Sequence, residues 1–294
     1  NGDGAIEVVQ GDKSGIVHVF DALTGKPVWQ TQIEGECSSP ALADLNGDGK
    51  LETVIATTAG KVFALSATGE PIWEFAMEGT TPDWATCSPI VFGTTDGQQR
   101  VACASSQQCM YCLDGSGKLL WKYNTRGAVA STLSAGDIDD DGRGDLFAVT
   151  QLGVVYRFDE DGRAIWEIDT QGRSLAPGAI IDLDGDSACE YVLCTQNGNL
   201  LVFGRDGDMR FSHQFDNRTI NVTPAFGDIV ADRPGLEFAI TGGESGRMFC
   251  FGTDAPANTI SQWAAYRANN ANTGAWPEGA RRETARITPE RLDQ

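Results

Sequence analysis

A five-residue segment, Gly-x-x-x-aromatic, returns through this chain at a nearly constant interval, and an interval of that size admits few folds. It reads Gly25-Lys26-Pro27-Val28-Trp29, Gly69-Glu70-Pro71-Ile72-Trp73, Gly117-Lys118-Leu119-Leu120-Trp121, Gly162-Arg163-Ala164-Ile165-Trp166 and Gly207-Asp208-Met209-Arg210-Phe211. Successive aromatics stand 44, 48, 45 and 45 residues apart, and a looser sixth unit carries Trp263 after Gly252. Periods of this length belong to repeat architectures in which one unit cannot bury its own apolar surface and stacks on the next. In the second unit, residues 38–45, 51–57, 61–65 and 71–75 read as extended runs rich in β-branched and aromatic residues, separated by Gly, Asp or Asn. Four short strands in about 45 residues predict a propeller blade. The expected fold is therefore all-β, a β-propeller of four-stranded blades with six repeats visible, a pattern compatible with six to eight blades.

Residues 1–276 are expected to form the propeller and 277–294, with Arg281, Arg282, Arg286 and Arg291, a tail or linker able to support self-assembly. The opening Asn1-Gly2-Asp3-Gly4 repeats Asn46-Gly47-Asp48-Gly49, so the chain starts inside a unit. The missing inner strand is expected either from residues upstream or from the segment after Trp263. Asp and Glu number 41 against 22 Lys and Arg, a net charge of −19 that repels phosphate backbones and anionic lipid and argues against a nucleic-acid partner. No apolar run approaches the roughly 18–20 residues of a membrane span, and no apolar signal core opens the chain, so a soluble protein without membrane insertion is expected.

Several inter-strand stretches carry oxygen ligands at alternate positions around a tight turn, the pattern a hard cation such as calcium requires. Asp44, Asn46, Asp48 and Glu52, with the Lys50 carbonyl, form one complete set. Asp137, Asp139, Asp141 and Asp145, with the Arg143 carbonyl, form a second. Asp182, Asp184, Asp186 and Glu190, with the Ala188 carbonyl, keep every ligand although Ser187 replaces the turn glycine. Asn1, Asp3 and Glu7 form a set cut at its first member; Asp228, Asp232 and Glu237 are out of step by one residue and the stretch from Thr94 to Arg100 has only Asp96, so those two read as metal-free. The competing reading is that Asp, Asn and Gly simply build tight turns. The inferred cofactor is structural Ca2+.

These segments resemble known repeats. Gly-x-x-x-Trp after the Asp21-Ala22-Leu23-Thr24-Gly25 turn is similar to the tryptophan-docking repeat of pyrroloquinoline-quinone-like propellers, and the Asp-x-Asn-x-Asp-Gly-x-x-Glu loops resemble those of FG-GAP repeats in integrin-type and bacterial surface propellers. Gln262-Trp263-Ala264-Ala265-Tyr266-Arg267 followed by Asn272-Thr273-Gly274 resembles a signature that accompanies such bacterial propellers. The resemblance implies a fold and leaves function open. It also raises quinone-dependent dehydrogenase chemistry, against which the chain has no Cys-Cys pair.

His18 lies in an alternating strand and His213 follows the fifth aromatic, and neither stands in a catalytic or metal-binding spacing. The candidate ligand site is instead the longer connection holding Trp84, together with Arg126, Arg173 and Arg218, which recur near blade spacing and are expected to ring one face. Eight cysteines are compatible with disulfides, Cys37 and Cys87 opening equivalent strands and Cys103 and Cys112 flanking one hairpin. The expectation is an extracellular, cell-surface or periplasmic binding and assembly module with a protein or glycan ligand. The alternative is a carbohydrate-active enzyme on an acidic polysaccharide, using Trp84 and the arginines.

Overall fold

The computed structural model describes residues 4–78, 88–129, 131–215, 219–230, 235–242, 247–257, 259, 261–263 and 275–276. They form a β-propeller, with no helix among the described residues. The first blade comprises β1 (Glu7–Gly11), β2 (Ile16–Asp21) and β3 (Pro27–Gln32). The second comprises β4 (Ala41–Ala43), β5 (Glu52–Ala56), β6 (Lys61–Leu65) and β7 (Pro71–Ala76). The third has β8 (Ile90–Gly93), β9 (Gln99–Ser105), β10 (Cys109–Asp114) and β11 (Leu119–Asn124), and the fourth β12 (Ser134–Gly136), β13 (Asp145–Val149), β14 (Val154–Phe158) and β15 (Ala164–Asp169). The fifth has β16 (Ala179–Ile181), β17 (Glu190–Cys194), β18 (Asn199–Phe203) and β19 (Met209–Gln214), and the sixth β20 (Ala225–Gly227), β21 (Glu237–Gly242) and β22 (Arg247–Gly252).

Within each blade every strand is antiparallel to its neighbour, and β4, β8, β12 and β16 lie side by side as the inner strands. Two further strands join them. β23 (Ser261–Trp263) pairs antiparallel with β16 and touches β12, and β24 (Ala275–Trp276) pairs parallel with β8 and touches β4. The described part of the segment after Trp263 therefore reaches the third blade. It does not fill the inner position beside β1, one of the two places from which that strand was expected.

Burial follows position in the blade. The second strands β5, β13 and β17 are buried at every residue, because neighbouring blades cover both faces of the sheet there. Their sequences accordingly run as continuous apolar stretches, such as Val54-Ile55-Ala56, without a period of two. The outer strands β3, β7 and β11 alternate between exposed and half-buried residues, as edge strands with one covered face do. The largest apolar cluster runs through blades three to five, centred on Phe147, Tyr156, Phe158, Tyr191 and Phe203. Phe147 stacks on Tyr191 across the fourth and fifth blades with ring centroids 4.3 Å apart. Each of the first five blades also carries a register shift at one place, Val19/Phe20, Ala64/Leu65, Cys112/Leu113, Arg157/Phe158 and Val202/Phe203, just before the turn that holds the repeated glycine.

Blade joints and carboxylate loops

The two halves of the repeated pentapeptide meet across blade boundaries. Trp29 Nε1 donates to the Ala67 carbonyl at 3.0 Å, Trp73 to Gly115 at 3.0 Å, Trp121 to Glu160 at 3.1 Å and Trp166 to Arg205 at 3.0 Å. Each indole lies over the glycine of the next turn: a Cβ added to Gly69 would come within 2.6 Å of the Trp29 ring, to Gly117 within 2.6 Å of Trp73, and to Gly162 within 2.5 Å of Trp121. The glycine is thus a seat for the preceding tryptophan, and the tryptophan four residues later reaches forward. Gly25, the first of the series, has open space above it. At the fifth joint Phe211 has no donor, its ring stands 6.4 Å from Phe251, and a cavity of about 290 Å³ lined by Leu183, Glu190, Phe211, Phe238 and Phe251 opens beside it.

The carboxylate stretches connect the inner to the second strand in blades two, four, five and six. In each, the last carboxylate of the set reaches back and accepts the backbone N–H near the start of the loop: Glu52 from Leu45 at 2.9 Å, Asp145 from Ile138 at 3.1 Å, Glu190 from Leu183 at 2.8 Å and Glu237 from Ile229 at 2.8 Å. The first carboxylate accepts N–H groups from the turn itself, Asp44 from Gly47, Asp48 and Gly49, Asp137 from Asp141 and Gly142, and Asp182 from Gly185 and Ser187. Thr259 adds a hydroxyl bond to Asp182 at 3.0 Å. Among the described residues, three carboxylates bring an oxygen each within 4.8 Å of one another in two of these loops, Asp137/Asp139/Asp145 and Asp182/Asp184/Glu190.

Burial acts on the carboxylates of this layer. It pushes Glu190 up to about 7 and raises Glu52 and Asp137, the adjacent carboxylates adding to each shift. The second loop differs in holding a buried cation, Arg157 of β14, whose guanidinium bonds both Asp139 and Asp145. Burial raises the Asp145 carboxyl and the guanidinium pulls it back down, while burial lowers Arg157 but Asp145 and Asp139 more than offset that, so the arginine stays charged. No spacing rule for the loops predicts Arg157, which lies 12 residues beyond the last carboxylate.

Other candidates fall elsewhere. The Arg126 side chain pairs with Glu167 at 2.7 Å and its backbone N–H donates to the Tyr156 hydroxyl, while Arg173 bonds Gln196. Each is engaged by a neighbour in its own region. Trp84, Arg218, Asn1, Asp3, Cys87 and the 277–294 tail lie outside the described residues, and Glu7 begins β1. His18 stacks on Phe20 and bonds Asp12 at 2.9 Å within the first blade, and His213 packs on Phe215 and on Phe251 of the sixth blade, so both are packing residues. Cys103 and Cys112 pair with Tyr111 and Ala102, which directs them to opposite faces of the sheet rather than into a disulfide. Cys37, Cys109, Cys112, Cys189, Cys194 and Cys250 are free thiols, and burial pushes those of Cys112 and Cys194 up to about 12, which leaves them unreactive at neutral pH.

Comparison with known proteins adds three findings. A family profile described as outer membrane protein assembly factor BamB matches residues 4–78 and 58–280. The outer membrane protein assembly factor BamB of Burkholderia pseudomallei (strain K96243) is 29% identical over 115 residues, 38% of this chain and 26% of that protein, so the chain spans about a quarter of the length of the curated relative it matches. Among solved structures, BamB from Moraxella catarrhalis is similar with a TM-score of 0.58 at 18% identity, over 86% of this chain and 75% of that one. Saccharomyces cerevisiae Sqt1 is similar with a TM-score of 0.66 at 14% identity, over 84% and 68%. Likeness at these identities is likeness of fold.

Proposed function

Because the chain belongs to the PQQ-like repeat family described as outer membrane protein assembly factor BamB, we propose that it is a non-catalytic propeller platform that holds protein partners during assembly in a cell envelope. The family match across residues 4–280 carries this reading. It is supported by how the chemistry-bearing side chains are used: His18 stacks on Phe20 and bonds Asp12, His213 packs among Phe215 and Phe251, and the thiols of Cys112 and Cys194 are suppressed by burial. The test is capture of a protein partner from an envelope extract on the immobilised chain, beside incubation with acidic polysaccharides. A retained protein and intact polysaccharide are expected, whereas chain cleavage of the polysaccharide overturns the platform reading.

The platform is further proposed to be calcium-stabilised and to work outside the cytoplasm. Asp182, Asp184, Asp186, Glu190 and the Ala188 carbonyl, and in the second blade Asp44, Asn46, Asp48, Glu52 and the Lys50 carbonyl, are the residues that would hold the ion, as in the FG-GAP loops they resemble. The supporting observation is the convergence of Asp182, Asp184 and Glu190 with two members buried, a charge that a divalent ion would neutralise. Bound calcium would supply only that neutralisation. The expected result is a melting temperature several degrees higher in calcium than in chelator, with Asp184→Asn losing part of the rise. Equal melting in both media ends the calcium reading.

A further inference from the structure

Arg157 occupies a position where every neighbouring blade has a small apolar residue. Facing the outer-strand aromatic stand Val19 across from Trp29, Ala64 from Trp73, Cys112 from Trp121 and Val202 from Phe211, but Arg157 from Trp166. Its side chain is only 6% exposed, so the charge is held inside the blade and not carried out to water. Nε donates to Asp145 Oδ1 at 2.8 Å, and Nη2 to Asp145 Oδ2 at 3.0 Å and to Asp139 Oδ2 at 2.6 Å. Nη1 donates to the Arg205 carbonyl at 2.8 Å, the same oxygen that receives Trp166 Nε1. Asp145 is gripped by two parallel bonds and Asp139 by one, and these are two of the side chains that a calcium ion in this loop would need. A divalent ion bound to the same oxygens would sit within hydrogen-bond reach of a fixed positive charge and would have to expel it.

We propose that the Arg157 guanidinium is the cation of the Asp137–Asp145 loop, and that this loop takes no calcium. The residues read from spacing as a complete metal set, Asp137, Asp139, Asp141 and Asp145 with the Arg143 carbonyl, do not fit the ion once Arg157 is among them. The guanidinium also does something that an ion in the loop would not, since one of its nitrogens reaches the docking turn of the fifth blade. On the other side Arg143 pairs with the buried Glu160 at 2.9 Å, tying the loop to the turn that seats Trp121. The fourth blade is thus fastened through its loop by fixed charges whatever the calcium concentration. This inference does not depend on whether the loops of the second and fifth blades bind calcium.

The experiment uses the full chain and two variants, with bound calcium counted after dialysis against calcium and melting followed in calcium and in chelator. Asp139→Asn is expected to lower the melting temperature by the same few degrees in both media and to leave the number of bound calcium ions unchanged. Arg157→Met, which removes the charge and keeps an unbranched apolar chain, is expected to gain about one bound calcium per chain and a melting temperature that rises with calcium. Folding of Arg157→Met only when calcium is present supports the proposal equally. Loss of one bound ion in Asp139→Asn, or an Arg157→Met chain that folds and gains none, overturns it. If Arg157→Met folds in neither medium, the Asp139→Asn count decides alone. Failure of the calcium reading for the other loops is seen separately, as an unsubstituted chain with no bound ion.

Discussion

A docking tryptophan and its glycine seat resist substitution for two reasons that can be measured apart. Gly162 has φ +84° and an added Cβ would strike the Trp121 ring at 2.5 Å, whereas Gly25 has φ +67° and nothing within 4 Å. Gly25→Ala is therefore expected to cost about 1 kcal/mol, the backbone part alone. Gly162→Ala is expected to cost about 2–4 kcal/mol, because a ring must also move. Trp121→Phe keeps an aromatic body and loses the bond to Glu160, at about 1 kcal/mol. Urea denaturation of the three variants checks the order, and equal losses for the two glycines would refute the seat. Ser187 presents the converse case: it sits at φ 79° where the other loops have Gly49 and Gly142. Ser187→Gly should raise stability by about 1 kcal/mol. Glu190 sets a pH dependence of definite sign. Its folded pKa near 7 lies above the ordinary 4.5, so its contribution is full below about pH 4.5 and lost as pH rises to 7. In chelator, melting should fall between pH 5 and pH 8, and Glu190→Gln should flatten that slope.

At the scale of the element, what could be read in advance depended on whether the signal was local. The third strand of the second blade occupies residues 61–65, the extended run expected there, and the outer strand differs from its expected run by one residue. The inner strand is shorter, Ala41–Ala43 in place of the longer extended run, because its pairing with β5 breaks before Ala41 and resumes one residue out of register at the Cys37–Thr57 bridge. A ligand spacing is also local, and so the loops were legible as loops. Arg157 was not, because its partners come from a hairpin 12 residues upstream and from the next blade. The available signal was a charge inside Val-Val-Tyr-Arg-Phe at a position that neighbouring repeats fill with Val, Ala or Cys. The sixth blade carries a related lesson. Asp228 and Asp232 are out of step for a metal, yet Glu237 still accepts N–H groups from Ile229 and Val230. Those bonds give the carboxylate a structural use that does not depend on an ion. Glu237→Gln is expected to cost about 1–2 kcal/mol equally in calcium and chelator, and a loss seen only in calcium would assign it a metal instead.

For the whole molecule, packing is graded along the chain. Among the described residues the largest apolar cluster spans blades three to five, while the clusters that reach the first and sixth blades are smaller. Hydrogen exchange should follow this grading, with the amides of β13, β14 and β17 slowest and those of β1–β3 and β20–β22 first to exchange. Uniform protection would show instead that the six described blades open as one unit. The joints have a direction as well: every seat faces back along the chain and every indole reaches forward. A gene segment encoding one such unit, copied in tandem, would bring with it both a seat for the indole before it and an indole for the seat after it. Growth of a lineage's propeller by whole repeats would then need no matching change in either flanking blade, except at Phe211, where a newly inserted neighbour would find no indole to receive.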